Sequence, residues 1–232
     1  MSRSVGASVF GASCAIASLL AAAPLGAEPC TSPRSFPLGV SAFRVIEQKS
    51  GPVNYYKVVD DPRMPFIRAE YRSPLETTVL GFAAPEAQRA RASKLAWSWR
   101  AMTLPRGGDE CSEGRGDSAA VVYVTWKRGL RWYTLKYVWS SVGTRGRICD
   151  RKRNPFVAQD TIIVESEGPL GVWKRKEIDL RAEFRAHFED GDPEAKVPDL
   201  AGVAIMSDGD QTRSESAADY ANFVLSADAC GS

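Results

Sequence analysis

The sequence predicts a mainly β protein, built as one β-sandwich of eight or more strands with one or two short helices. Short stretches rich in β-branched and aromatic residues follow one another, separated by turn formers such as KSGP and DDPRMP. The 14 prolines and 19 glycines are spread along the chain, which favours many turns over a helical bundle. A length of 232 residues allows one sizeable domain, and 44% hydrophobic with 25% charged residues is typical of a globular protein.

The first strands are predicted in AFRVIEQ, VNYYKVV and FIRAEY. PEAQRARASK, at 85–94, contains good helix formers and predicts one or two helical turns. KLAWSWRAM then alternates, so that Leu95, Trp97 and Trp99 share one face of a strand.

Two long strands follow in AAVVYVTWKRGLRWYTLKYVW, and residues 127–129 in its middle predict a hairpin turn. In the second strand Tyr133, Leu135, Tyr137 and Trp139 share one face. The other face mixes tryptophan, threonine, lysine and valine, a pattern that suits either a binding groove or a solvated sheet surface.

Further strands are predicted in TIIVES, GVWKRKEIDL, LAGVAIMSD and ADYANFVLSA, with LAGVAIMSD apolar enough to be buried on both faces. LRAEFRAHFED is the best helix candidate, because Leu180, Phe184 and Phe188 recur every four residues.

The first 27 residues have the layout of a secretory signal peptide, with Arg3 followed by small and apolar residues up to Glu28. Cleavage is predicted after Ala23 or Ala27, which leaves one mature domain over 28–232 in the periplasm or outside the cell. A retained membrane anchor is the alternative, although Gly, Ser and Pro interrupt the stretch. No other segment approaches the length of a membrane span, so the mature protein is expected to be soluble.

Four cysteines follow the predicted signal, and an even number in an exported chain predicts two disulfides. Four cysteines allow three pairings. The preferred one joins Cys30 to Cys230 near the two ends and Cys111 to Cys149 between two loops.

The charge and the motifs exclude several functions. The formal charge is only +2, so no broad basic surface for nucleic acid exists, and RGRICDRKR at 145–153 is predicted to be a solvated loop. The chain has no P-loop and no GxGxxG motif. His187 is the only histidine, which argues against a catalytic triad and against a histidine metal site, so it is predicted to be structural or solvent-facing.

IMSDGDQT, at 205–212, ends an apolar run with two aspartates around a glycine. The favoured interpretation is a turn in which Asp208 and Asp210 accept backbone hydrogen bonds. The second is a calcium site, with Asp208, Asp210 and the Thr212 hydroxyl as oxygen ligands. A catalytic carboxylate pair is the third. No other cofactor is predicted.

Three tryptophans are the candidates for stacking on a sugar ring, namely Trp126, Trp132 and Trp139, with Lys136 and Arg100 placed to bind hydroxyl groups.

Several segments together resemble a bacterial family known as domain of unknown function 3047: LAWSWRAMTLPRGGDE, GDSAAVVYVTW, YTLKYVWSS, RNPF, DLRAEFRAHF and LAGVAIMSDGDQTRSESAADYANFVL. The resemblance covers about residues 40–226. It implies a jelly-roll sandwich, similar to galactose-binding and carbohydrate-binding modules, in exported bacterial proteins. Of the acidic pair in the family's DDxxAR pattern ahead of the VYV strand, this chain keeps only Asp117, and Val121 stands at the arginine position.

The predicted function is therefore non-catalytic binding of a carbohydrate or an envelope component. One alternative is a glycan hydrolase with two paired carboxylates. Another is a protein-binding or assembly factor that uses a flat apolar surface.

Overall fold

The structure, a computed structural model, describes residues 34–47 and 55–227, and the side chains of 46 and 47 are excluded. Two β-sheets dominate the described residues. Their strands are β1 (Arg34–Leu38), β2 (Arg44–Glu47), β3 (Tyr56–Val59), β4 (Phe66–Tyr71), β5 (Val79–Ala83), β6 (Ala92–Thr103), β7 (Ser118–Arg128), β8 (Arg131–Ser140), β9 (Ile148–Arg153), β10 (Val157–Ser166), β11 (Lys174–Asp179), β12 (Leu200–Met206) and β13 (Ser216–Ala227). The α-helices are α1 (Glu86–Arg89) and α2 (Leu180–Phe188).

One sheet has six strands in the order β11-β6-β13-β4-β3, with β1 also paired to β13. The other has seven strands in the order β2-β5-β12-β7-β8-β10-β9. Neighbours are antiparallel except β8 and β10, which are parallel. The predicted mainly β jelly-roll sandwich with short helices is confirmed.

The aromatic rows predicted from period-two alternation form the core between the sheets. Trp97 and Trp99 of β6 and Tyr137 and Trp139 of β8 are each 0–1% exposed. The ring centroids of Trp99 and Trp139 lie 6.0 Å apart, and those of Trp97 and Tyr137 lie 5.6 Å apart. Burying each such ring contributes roughly 2–3 kcal/mol, so these contacts hold the two sheets together.

Helix α2 closes one end of this core, as its four-residue periodicity predicts. Asp179 caps it by accepting hydrogen bonds at 2.9 Å from the amides of Arg181 and Ala182. Phe184 is fully buried, and its ring centroid lies 5.4 Å from that of Trp126. The earlier helix α1 is a single turn.

Two local predictions need correction. The hairpin turn consists of Gly129 and Leu130, because Arg128 still pairs with Arg131, so the turn lies later than the predicted 127–129. Gly129 has φ +60°, which glycine adopts without steric cost. The basic segment 145–153 is not only a loop, since residues 148–153 form edge strand β9, which pairs with β10.

Cys111 and Cys149 form a disulfide, with their Cα atoms 4.8 Å apart. The predicted partners Cys30 and Cys230 lie outside the described residues, as does the predicted signal peptide over 1–27. Among the residues described, no helix has the length and apolar character needed to cross a membrane.

Candidate functional site

The seven-stranded sheet turns one face to the core and the other outward, and the outward face carries two adjoining depressions. The first, the polar pocket, is a cavity of about 720 Å³ at the end of β12 and beside the loop before β7. The second, the apolar groove, has about 660 Å³. The polar-pocket residues used below are Glu110, Tyr123, Lys136, Gln159, Asp208 and Gln211.

Strand alternation explains why the two depressions adjoin. On β7, Tyr123 lines the polar pocket and Thr125, two residues later, lines the apolar groove. On β8, Lys136 lines the pocket, and Trp132 lines the groove. Outward residues two apart on one strand are separated by roughly 7 Å, so the surface runs from one depression into the other.

Strand register places the pocket's side chains together. Tyr123 pairs with Lys136 across the β7–β8 hairpin, and Lys136 faces Thr161 on β10, next to Gln159. Glu110 lies in the loop that precedes β7. In this loop, Asp109 accepts a hydrogen bond from the amide of Cys111 at 3.0 Å.

Glu110 and Lys136 form a buried ion pair in the pocket. The Lys136 ammonium lies 2.9 Å from both carboxylate oxygens of Glu110, and the two side chains are 10% and 3% exposed. Burial alone lowers the pKa of Lys136, but its interactions with Tyr123, Glu110 and Asp208 outweigh burial and hold that pKa above its usual value. Lys136 therefore remains a cation and orients the Glu110 carboxylate.

Asp208 lies at the end of β12 and is 4% exposed. Its Oδ1 accepts a hydrogen bond from the amide of Ser118 at 2.8 Å, and its Oδ2 accepts none from the part of the chain that the structure describes. Burial raises the pKa of Asp208 to about 8, with Glu110 and Asp117 adding to the rise and Lys136 opposing it. At neutral pH this carboxyl group is largely protonated, with one oxygen free to face the pocket.

Asp117 holds the turn that follows Asp208. Its carboxylate accepts hydrogen bonds from the Thr212 amide at 2.7 Å, the Thr212 hydroxyl at 2.6 Å and the Gln211 amide at 3.3 Å. Gly209 is required here, because a Cβ at this position would lie 2.1 Å from the Ser214 carbonyl oxygen. The favoured prediction of a turn agrees with this geometry. Of its two predicted acceptors, Asp208 accepts a backbone hydrogen bond and Asp210 accepts none among the described residues, while Asp117 is the main acceptor.

The residues predicted as calcium ligands come close together only in part. Carboxylate oxygens of Asp117, Asp208 and Asp210 lie within 4.8 Å of one another. The Thr212 hydroxyl donates its only proton to Asp117 and is 2.8 Å from the Ser214 hydroxyl, so it is already part of the turn's hydrogen bonding. Hydrogen bonds within the turn account for most of this cluster.

Trp132 is the exposed aromatic residue of the apolar groove, with 42% of its surface exposed. The Lys127 ammonium lies 4.7 Å from its ring centroid, a cation–π contact that orients the ring. Val45 and Ala204 are among the other residues that line the groove. The groove thus offers an aromatic ring and apolar side chains beside the polar pocket.

The other residues that were predicted to bind a ligand, Trp126, Trp139 and Arg100, line neither depression. Trp126 and Trp139 are 1% and 0% exposed in the core, so neither ring is open to a ligand. Arg100 lies on the opposite sheet, where it pairs with Asp219 at 2.7 Å. Period-two alternation placed Trp139 on the inward row, and that inward orientation excludes it from a surface site.

His187 is a structural residue, as predicted. Its Nδ1 is 2.8 Å from Asp160 Oδ2, and its side chain is 11% exposed. Arg153 also contacts Asp160, and Arg153 together with His187 holds the pKa of Asp160 below its usual value despite burial. This group links α2 to β10 away from the polar pocket.

Sequence analysis missed Glu110, Tyr123 and Asp117 as parts of one site. The hairpin register could have placed Tyr123 opposite Lys136, because a two-residue turn fixes which residues pair. Glu110 gave no such signal, since its contact with Lys136 spans a loop and 26 residues of sequence.

The family comparison matches residues 46–224 to a model described as "Protein of unknown function (DUF3047)". No curated protein matches the sequence.

Among solved structures, the fold is similar to the xyloglucanase domain of NopAA from Sinorhizobium fredii, solved with cellobiose (12% identity, 86% of this chain and 100% of that one, TM-score 0.42). It is also similar to endoglucanase 3 from Trichoderma harzianum (9% identity, 87% and 99%, TM-score 0.42) and to a family 11 xylanase from Neocallimastix patriciarum (10% identity, 84% and 96%, TM-score 0.37). Likenesses this distant carry no argument about what the present chain binds.

Proposed function

The chain belongs to the DUF3047 family, and we propose that it binds a carbohydrate, free or as part of an envelope component, on the outward face of its seven-stranded sheet. The observation that carries this proposal is the pairing of the polar pocket with the apolar groove. Sugars have apolar ring faces and hydroxyl groups at their edges, so they need aromatic surface next to hydrogen-bonding groups. Trp132 offers the ring, and Lys136, Gln159 and Gln211 offer the polar contacts.

A glycan array probed with the purified protein tests this proposal. We expect Trp132→Ala to weaken binding by about tenfold or more, because the stacking surface is lost. Phe156→Ala is the matched control, since Phe156 is 62% exposed and lines neither depression. Absence of binding by the wild-type protein to every glycan, or equal binding by the two variants, would count against the proposal.

We also propose that the protein works in the periplasm or outside the cell. Residues 1–27 have the layout of a signal peptide, and the Cys111–Cys149 disulfide suits an oxidising compartment. N-terminal sequencing of the protein from periplasmic and cytosolic fractions tests this. Export predicts a periplasmic chain that starts at residue 24 or 28, whereas an uncut cytosolic chain would contradict it.

A further inference from the structure

We propose that the outward face of the six-stranded sheet carries a second binding site, which takes the carboxylate or phosphate group of a small, ring-bearing anion such as an acidic sugar. The site, called the arginine pocket below, is a cavity of about 290 Å³ lined by Asp61, Arg63, Met64, Phe66, Arg100 and Trp173. The polar pocket and the apolar groove belong to the other sheet, so this inference does not depend on the carbohydrate binding proposed above.

Strand register places one aspartate between two arginines on this face. Asp219 of β13 pairs with Arg68 of β4 on one side and with Arg100 of β6 on the other. Arg68 donates to the two carboxylate oxygens at 2.8 and 2.9 Å, and Arg100 donates to one of them at 2.7 Å. Glu70, the next outward residue of β4, is paired with Lys57 at 2.9 Å. Two guanidinium groups therefore meet one buried carboxylate, and one positive charge is left in excess.

Each of the two guanidinium groups keeps one hydrogen-bonding edge that the aspartate does not use. A guanidinium group has five N–H donors and can present two bidentate edges, one formed by Nε and Nη2 and the other by Nη1 and Nη2. In Arg100, Nε and Nη2 both lie 2.7 Å from Asp219 Oδ2, and in Arg68 the same two nitrogens donate to Asp219. Nη1 of either arginine has no hydrogen-bond partner among the described residues, and both side chains are partly exposed. The remaining edge matches the paired oxygens of a carboxylate or phosphate group.

Aromatic rings hold Arg100 in place beside the cavity. Its Cζ lies 4.6 Å from the ring centroid of Trp173 and 5.4 Å from that of Phe66. The two rings meet edge to face, with their centroids 5.8 Å apart. A guanidinium group that is stacked on rings and bonded to a carboxylate loses little freedom when a ligand binds, which lowers the cost of binding. Together with Met64, the same rings give the cavity an apolar wall that suits the ring of an organic ligand.

The charge and the size of the arginine pocket select a small organic anion. Arg63 is exposed and forms no ion pair among the described residues, whereas Asp61 accepts a hydrogen bond from the Arg63 amide at 2.8 Å. With Arg68 and Arg100, three arginines face two aspartates, so positive charge is in excess. The volume of about 290 Å³ is close to the lower end for small-molecule sites and far above the roughly 30 Å³ of one water, so a bare ion would not fill it.

Titration calorimetry of the purified protein with four probes tests the proposal: glucuronate, glucose 6-phosphate, inorganic phosphate and glucose. We expect at least one of the two acidic sugars to bind more tightly than glucose, which lacks the anionic group, and than inorganic phosphate, which lacks the ring. Binding of glucuronate alone identifies a carboxylate as the ligand group, and binding of glucose 6-phosphate alone identifies a phosphate. Either result supports the proposal.

Variants of the arginine pocket assign the binding to this site. Arg100→Lys keeps a positive charge next to Asp219 but removes the bidentate edge, so it should weaken binding of the acidic sugar by about tenfold or more. Met64→Glu puts a negative charge in the cavity wall without changing the three residues of the Asp219 row, and it should weaken binding by a similar factor even if Arg100→Lys does not fold. Arg175→Lys is the matched control, since Arg175 is an exposed arginine of the same sheet that does not line the cavity, and it should bind as the wild type does.

Three results would overturn the proposal. Failure of both acidic sugars to bind the wild-type protein would show that the arginines serve only Asp219. Wild-type affinity in a folded Arg100→Lys or Met64→Glu variant would place the binding elsewhere. Inorganic phosphate that binds as tightly as the acidic sugars would remove the role of the aromatic wall. None of these results bears on carbohydrate binding by the seven-stranded sheet, which the comparison of Trp132→Ala with Phe156→Ala tests.

Discussion

The two sheets each bury an aspartate on the face turned away from the core, and the two aspartates differ in their hydrogen-bond partners. Asp219 of β13, on the six-stranded sheet, is 0% exposed and accepts hydrogen bonds from Arg68 at 2.8 and 2.9 Å and from Arg100 at 2.7 Å. Asp208, on the seven-stranded sheet, is 4% exposed and accepts one hydrogen bond from the backbone amide of Ser118.

The difference shows why burial alone does not identify a functional acid. Two guanidinium groups neutralise Asp219 and occupy both of its oxygens, so it has little capacity left for a ligand. Asp208 keeps a free oxygen, and it lines the same cavity as Glu110 and Lys136. A buried acid that its own protein leaves partly unbonded is better suited to meet a substrate.

The largest effect is expected from removing the charge of Asp219, which both arginines bind. Asp219→Asn should lower the free energy of unfolding by about 3–5 kcal/mol, because Arg68 and Arg100 would be left without their counter-charge. Urea denaturation measures this. Glu70→Gln on the same sheet is the control, since the Glu70–Lys57 pair is exposed and should contribute under about 1 kcal/mol. Equal stability of Asp219→Asn and wild type would remove the contrast between the two centres.

Substitution of Asp208 is expected to raise stability, whereas substitution of Asp219 lowers it. The folded-state pKa of Asp208, about 8, lies above its unfolded value of 3.8, so the folded protein holds a proton that the unfolded chain releases. Stability therefore falls as pH rises from about 4 to 8, and the loss is complete above pH 8. Asp208→Asn removes this loss and should raise the free energy of unfolding by several kcal/mol at pH 9, an effect of similar size to that of Asp219→Asn but of opposite sign.

Urea denaturation of wild type and Asp208→Asn across pH 4–9 measures this gain, which should vanish near pH 4. Asp199→Asn, an exposed change, should be neutral at every pH. A gain independent of pH would show that Asp208 is ionised in the folded protein, and a loss of stability would show that it is a structural residue like Asp219.

The smallest expected effect concerns calcium. We expect the melting temperature at pH 7 to change by less than about 1 °C between millimolar calcium and a chelator, because turn amides and the Thr212 hydroxyl occupy the Asp117 carboxylate. Magnesium serves as the ionic control. A rise of several degrees with calcium alone, lost in Asp210→Asn, would establish the predicted calcium site.

Much of the fold could be predicted because each element carried its own signal. Alternation over residues 95–99 and 133–139 identified the core rows, and the spacing of Leu180, Phe184 and Phe188 identified α2. Strand β9 was missed, because RGRICDRKR is charged and polar on an edge strand whose pairing with β10 supplies the structure.

The candidate site was less accessible to sequence reasoning. Lys136 and Trp132 were placed correctly on an outward row. Trp126 and Trp139 were chosen as ligand residues for their aromatic character, although both lie on inward rows that face the second sheet. IMSDGDQT was recognised as a turn after a buried strand, and it was Asp117, 91 residues before Asp208 in the chain, that proved to hold the turn.

The sequence by itself determined the family and the mainly β sandwich and predicted disulfide bonding, because alternation, turn residues and cysteine count are local or additive properties. The structure decided that Cys111 pairs with Cys149. Tertiary structure alone decided that Glu110, Lys136 and Asp208 share one pocket and that Arg100 lies on the other sheet. Such proximity depends on strand order and register, which bring distant segments together, and a carboxyl's protonation depends on that assembled environment rather than on its neighbours in the chain.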